Sequence, residues 1–325
     1  MNKSIKLIIN YWLGPLLFVL LSWSLYRQIM RQPGLGERWS QVKLSWMDLR
    51  FWMVVGLMFV NWAIESVKWQ KQLEPLQKMN FIRAFRSVLA GCSITMLTPN
   101  RIGEYAGRIL YINEENRIRA IPLTILGSIS QLAVTMSAGT AGILYIRYGS
   151  GILDALPEQP WFLNGFILVL GFLSTLFLFL LFFKVHDMVL FISRIRFLKS
   201  FVKYLHAAES FTRKQLLRII FLSFIRYLVF ILQYALMIQV MHVDIPLAAS
   251  AWLMTQFFML MVLAPTIGFT ELPVRATAGV AILGLFSNNI LGIQAAIFAI
   301  WLINLVIPAM IGGIFILGVK MIKVP

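Results

Sequence analysis

The sequence predicts an all-α, polytopic transmembrane helix bundle of about six full spans plus two re-entrant broken-helix hairpins. Three observations predict it. Of the 325 residues, 59% are hydrophobic and 13% charged, against about 45–50% and 25% in a soluble domain, which excludes a soluble globular enzyme. Several charge-free runs approach the roughly 20 residues that a helix needs to cross a hydrocarbon core of about 30 Å. The basic residues, which bring the net charge to +16, gather between those runs, where the positive-inside rule and anionic headgroups favour them. That placement argues against a nucleic-acid partner.

The elements follow in order, as parts of one transmembrane domain over residues 1–325. Lys3 and Lys6 precede an apolar run over 8–26; it is long enough to cross and no Ala-x-Ala site follows it, so it reads as an uncleaved first span. A polar connection over 27–50, with Pro33, Gly34 and Gly36, leads to a second span over 51–69. Asn61 and Glu65 share one face of that helix, with Glu65 expected at its interfacial end. The next apolar stretch, 87–99, is too short to cross at about 1.5 Å per residue. It is interrupted by Pro99-Asn100-Arg101-Ile102-Gly103-Glu104, and 87–112 is read as the first re-entrant hairpin.

The span over 121–146 carries Gly127, Ser137, Gly139, Thr140, Ala141 and Gly142, small residues that let membrane helices approach closely. The least polar segment, 161–183, is expected to face lipid. Residues 184–218 carry eight Lys and Arg, and within them Phe191, Ile195, Leu198, Val202 and Leu205 mark an amphipathic helix lying in the cytoplasmic interface. The span over 219–240 contains Arg226, which is expected to snorkel toward the membrane surface. Apolar pieces on either side of 265–275 make 248–287 the second hairpin. The last span, 290–319, contains Asn304 and Pro308, and Asn304 and Gln131 are expected to join helices to one another. With both termini in the cytoplasm, that side holds nineteen Lys and Arg, among them Lys68, Lys71, Lys78, Arg83 and Arg86 of the basic segment after the second span, and the outer side six. The five basic residues of the first outer connection run against this trend.

The two interruptions resemble each other. Pro99 is followed by Gly103, Glu104 and Arg108, and Pro265 by Gly268, Glu271 and Arg275. In both, Glu and Arg lie four apart, on one helical face with Glu N-terminal, the better order for a pair. Hairpins entering from opposite sides would form an inverted repeat. Charge at mid-membrane costs at least about 2.5–3.5 kcal/mol per residue, so these side chains must face one another or a wet cavity. Arg offers a fork that matches phosphate. Arg101, Arg108 and Arg275 are therefore the candidate headgroup ligands, with Glu104 and Glu271 positioning them or accepting an amine. Pro99, Asn100, Gly103, Pro265, Gly268, Glu65 and Arg226 are candidates in support. The competing reading makes the two pairs structural ties between hairpin and bundle.

One cysteine, Cys92, and three scattered histidines, His186, His206 and His242, offer no metal-ligand spacing, and no P-loop is present. No cofactor, metal or catalytic residue is expected.

Asn100-Arg101-Ile102-Gly103-Glu104 with Arg108, together with Pro265, Gly268 and Glu271, resembles the lysylphosphatidylglycerol synthase transmembrane region, the flippase-like family of bacterial inner-membrane proteins. The resemblance covers nearly the whole chain. Family members usually have a more glycine-rich second motif; here only Gly268 stands between Pro265 and Glu271. What the resemblance implies is movement of a phospholipid or lipid-linked headgroup between leaflets of the inner membrane, with a membrane phospholipid as partner. It leaves open a homo-oligomer or a membrane partner. In the bifunctional relatives a soluble C-terminal domain transfers the aminoacyl group, and a chain ending at Pro325 is expected to be no enzyme. The alternative reading is a secondary transporter of a small polar or anionic solute. A third is an intramembrane enzyme or subunit acting on a lipid phosphate, for which the expected His, Asp and Ser cluster is missing from the apolar segments.

Overall fold

A computed structural model of the chain describes residues 34–96, 102–148, 161–185, 207–264 and 271–317, together with single positions such as Trp23, Thr98 and Asp187. The first expected span, the interruptions at 99–101 and 265–270, most of the amphipathic segment and both termini lie outside the described residues. The described residues form eleven α-helices and no strand. Five stretches are long and apolar enough to cross a membrane: Leu49–Leu73, Glu114–Ile146, Gly165–Phe183, Arg213–Val240 and Ile290–Leu317. The chain is a helical, multi-pass membrane protein.

By its internal packing the chain divides into two units, and the division falls inside three of these five stretches, near Met58, Phe230 and Ile307. Unit 1 comprises 1–58, 95–102 and 231–307; unit 2 comprises 59–94, 103–230 and 308–325.

Unit 1 opens with a difference from the sequence reading. The polar connection is not irregular throughout: Gly34, in the left-handed region at φ 68°, leads into α1 (Leu35–Leu44) and a 3-10 turn at Ser45–Met47. Only glycine takes that backbone freely, so Gly34 starts the helix. α2 (Leu49–Leu73) begins in this unit and ends in unit 2, just before Glu74-Pro75, where a residue preceding proline is steered away from helix.

The remaining helices of unit 1 are the end of α7 (Arg213–Val240), α8 (Leu247–Leu263), α9 (Glu271–Leu283) and α10 (Ile290–Trp301). α8 spans about 25 Å at 1.5 Å per residue, less than a hydrocarbon core, and resumes as α9 after the interruption. Beyond α10 the helix widens into a π turn at Leu302–Val306 before α11 (Ile307–Leu317). Pro308 is the physical cause: it offers no N–H, and its ring crowds the carbonyl four residues back, at Asn304. The widened turn absorbs the conflict. There Asn304 and Gln233 exchange amide hydrogen bonds of 3.1 and 3.2 Å, and Gln233 Nε2 also donates to the Val54 carbonyl at 3.0 Å. Asn304 thus joins helices as expected.

In unit 2, α3 (Phe81–Met96) starts where Asn80 Oδ1 accepts from the Arg83 N–H at 2.8 Å, a side-chain N-cap. Its 16 residues cover about 24 Å. The chain then resumes as the seven-residue α4 (Gly103–Ile109). α3 and α4 touch backbone to backbone: a Cβ on Gly107 would overlap the Ala90 carbonyl, and one on Gly91 would lie 3.0 Å from the Glu104 carbonyl. Gly312 of α11 presses on the Leu89 carbonyl in the same way.

α5 (Arg117–Tyr148) packs against α6 (Trp161–Phe183), where Gly171 accommodates the Thr140 hydroxyl. Gln131 of α5 donates to the Ser223 carbonyl of α7 at 3.4 Å. Elsewhere α6 presents Phe166, Phe172 and Phe177 outward, as expected of a lipid-facing span.

Gly107→Ala is expected to destabilise the protein by about 1–3 kcal/mol through overpacking against rigid backbone. Thermal denaturation in detergent checks it. Gly56→Ala, where a Cβ meets nothing within 4 Å, serves as the unaffected control.

Candidate functional site

The polar residues of α2 in unit 2 form one stripe: Asn61, Glu65, Lys68 and Gln72 recur at helical spacing and all are buried. Glu65 is its centre. Glu65 Oε1 accepts from Arg108 Nη2 at 2.6 Å, while Oε2 lies 2.8 Å from Lys68 Nζ and 3.2 Å from Arg226 Nη1. One carboxylate therefore touches three cations, delivered by α2, α4 and α7.

Each cation has a second hold. Arg108 Nη2 also donates to Glu104, one turn earlier on α4, and the guanidinium stacks over the Trp69 ring at 5.1 Å. Trp69 Nε1 donates to Ser87 Oγ at 3.0 Å, and that hydroxyl donates to the Arg108 carbonyl at 2.9 Å. Arg226 Nε donates to Asn61 Oδ1 at 2.9 Å, and its guanidinium lies over Trp62 and Phe230. Lys68 Nζ reaches Ser223 Oγ at 3.5 Å, and Ser223 bonds Ser130 at 2.8 Å. Such a set survives burial only because every charge meets an opposite one.

The cluster is not balanced. Among the described residues, Lys68, Arg108 and Arg226 are three cations against two carboxylates, Glu65 and Glu104. Four buried donors of this region, Arg108 Nε, Asn61 Nδ2, Trp62 Nε1 and Gln72 Nε2, also find no acceptor among the described residues, and Gln72 Oε1 finds no donor. Glu104 is the accessible edge, its side chain 25% exposed against 3% for Arg108.

Three expectations need correction. Glu65 is not at an interfacial helix end; α2 continues for two more turns, and Glu65 is 3% exposed. Lys68 does not belong to the solvent-facing basic segment, because the stripe carries it inward to 2% exposure. Arg226 does not snorkel: Asn61 and Glu65, one turn apart on α2, capture its guanidinium inside the protein. The spacing 61–65–68–72 was the available signal for the first two.

In unit 1 the second motif forms its own pair. Arg275 Nε and Nη2 donate to Glu271 Oε1 at 3.0 and 2.7 Å, and Nη1 donates to Tyr234 Oη at 3.5 Å. Tyr234 is held by the Phe257 and Phe258 rings. The two Glu-Arg motifs thus differ: Arg275 has one carboxylate and a phenol, whereas Arg108 is shared between two carboxylates. Gly103 is buried at the head of α4. Pro99, Asn100, Arg101, Pro265 and Gly268 lie outside the described residues.

Residues 11–300 match the family model described as lysylphosphatidylglycerol synthase TM region. No curated protein matches the chain.

Glu65→Gln is expected to cost about 3–5 kcal/mol, because it leaves buried cations without their shared acceptor. Glu104→Gln, at the exposed edge, should cost about 1 kcal/mol or less. Chemical denaturation in mixed micelles measures both.

Proposed function

Because the chain belongs to the lysylphosphatidylglycerol synthase transmembrane region family, whose members are associated with membrane lipid, we propose that it moves a phospholipid headgroup between leaflets and performs no covalent chemistry of its own. The observation that carries the reading is the excess of one positive charge among the described residues of the buried cluster of unit 2. A lipid phosphodiester bears one negative charge and acceptor oxygens only. It supplies both what the charge balance lacks and what the unmatched donors Arg108 Nε, Asn61 Nδ2 and Trp62 Nε1 lack.

In this reading Glu104 holds Arg108 when no headgroup is present. An arriving phosphate replaces Glu104 on the guanidinium, while Glu65 keeps Arg108, Arg226 and Lys68 in place. Exchange of one anion for another keeps the arginine paired throughout, which limits the cost of passage at membrane depth. Arg275 with Glu271 serves the same exchange in unit 1, and Arg101 the entry to the first hairpin. The setting is the bacterial inner membrane, with both termini cytoplasmic. A small anionic solute would meet the same charges, so the test must separate the two cargoes.

Reconstitution into liposomes containing tail-labelled fluorescent phosphatidylglycerol, followed by dithionite quenching, is expected to show transbilayer movement faster than in protein-free vesicles. Arg108→Gln should slow it about tenfold or more, equivalent to about 1.4 kcal/mol in the barrier. Movement no faster than in protein-free vesicles, with uptake of radiolabelled glycerol phosphate instead, would transfer the assignment to a solute transporter.

A further inference from the structure

A second cluster of charged side chains lies in unit 1, away from the Glu-Arg motifs. The start of α2 and the turn between α7 and α8 border a shallow, open surface hollow of about 470 Å³, lined by Arg50, Gln239, His242, Asp244 and Pro246. Small-ligand sites begin at about 300 Å³. Both helices that frame it, Leu49–Leu73 and Arg213–Val240, are long enough to cross the membrane. The hollow sits at their ends, at the level of a membrane surface.

The flanking sequence fits that level. Trp46, Leu49 and Trp52, within four residues of Arg50 along the chain, are exposed, and Trp52 Nε1 donates to the Trp46 carbonyl at 2.9 Å. Exposed tryptophans with a satisfied or wet N–H are characteristic of the headgroup region.

The lining is bipolar. Arg50 uses Nε and Nη2 on Asp48, at 2.6–3.1 Å, and its Nη1 has no partner among the described residues. Arg50 lies beside Asp48 and holds that carboxyl below the usual carboxylate range, with a smaller contribution from His242. Asp244 is exposed and makes no ion pair among the described residues. In a chain of net charge +16, this hollow sets one lining carboxylate, Asp244, opposite one lining arginine, Arg50, whose other edge is held by Asp48. A purely anionic headgroup would meet the like charge of Asp244 here, and a purely cationic one would meet Arg50.

The turn itself is built at a conformational cost. The His242 and Val243 N–H groups donate back to the Gln239 and Ile238 carbonyls at 3.1 Å, the hydrogen-bond pattern of a Schellman helix end. Its left-handed position, normally glycine, is occupied by His242 at φ 52°. Asn289 secures the strained turn by donating Nδ2 to the His242 carbonyl at 2.9 Å. A side chain held where glycine would fit more easily, and exposed at the rim of a hollow, is the kind of local strain found at binding sites.

We propose that this hollow binds a phospholipid headgroup bearing an ammonium beside its phosphate, with the phosphate on Arg50 Nη1, the ammonium on Asp244 and the lipid's glycerol region against Trp46 and Trp52. The site does not depend on the translocation reading, and the test below reads binding only.

Purified protein in detergent is incubated with equal amounts of phosphatidylethanolamine and phosphatidylglycerol, and retained lipid is counted by native mass spectrometry. The wild type should retain phosphatidylethanolamine in about threefold excess, the size expected of an exposed ion pair. Asp244→Asn and Arg50→Gln, both at exposed positions, should bring the ratio to about one while leaving gel-filtration behaviour unchanged. Equimolar O-phosphoethanolamine should leave the ratio unaltered. An even ratio in the wild type, or an unchanged ratio in both variants, overturns the site. Displacement of the lipid by O-phosphoethanolamine overturns the lipid assignment in favour of a soluble zwitterion.

Discussion

Unit 2 depends on one carboxylate shared among three cations. Glu65 is nearly inaccessible, and so are Lys68 and Arg108; none of them could be buried alone, because an isolated ion loses several kcal/mol or more on leaving water. Their presence inside an apolar chain obliges α2, α4 and α7 to deliver them to one point. The aromatic rings of Trp62, Trp69 and Phe230 then cover the guanidinium faces, which excludes water and favours the cations further.

The short helices follow from that requirement. Arg108 reaches Glu65 because α4 lies directly on α3, and it can do so because Gly91 and Gly107 have no side chain at the contact. In membranes, where lipid tails are as apolar as leucine, close backbone approach of this kind is a main source of helix association. The same device recurs where Gly312 meets Leu89. Small residues set the spacing of unit 2, and the charge cluster sets its orientation. Unit 1 has a milder polar core, built on the Gln233–Asn304 exchange and the Arg275–Glu271 pair.

Much of this was legible in the sequence. The long apolar runs, the short helices before both interruptions and the Glu-Arg pairs at spacing four follow directly from length, hydropathy and helical geometry. The lipid-facing character of α6 follows from its composition. What the sequence reading misplaced was Glu65, Lys68 and Arg226, and for one reason. Each was judged by its position along a presumed span, where basic residues near an end belong to the surface. The helical stripe of Asn61, Glu65, Lys68 and Gln72 carried the contrary information, and α2 extends past the expected boundary. The partnership of Glu65 with Arg108, 43 residues away, had no local signal at all; it arises from tertiary packing. Nor did the near-identity of the two Glu-Arg motifs announce that Arg108 would be shared between two carboxylates while Arg275 would meet Glu271 and Tyr234.

In the proposed function the surplus positive charge among the described residues is what a phosphate answers, and the sharing of Glu65 is what sustains it. The most direct test is a pair of double-mutant cycles, Glu65→Gln with Arg108→Gln and Glu65→Gln with Arg226→Gln, each followed by denaturation in mixed micelles. A shared acceptor predicts coupling of about 1 kcal/mol or more in both cycles. Additivity within about 0.5 kcal/mol in either cycle would contradict it, because that cation would then owe nothing to Glu65.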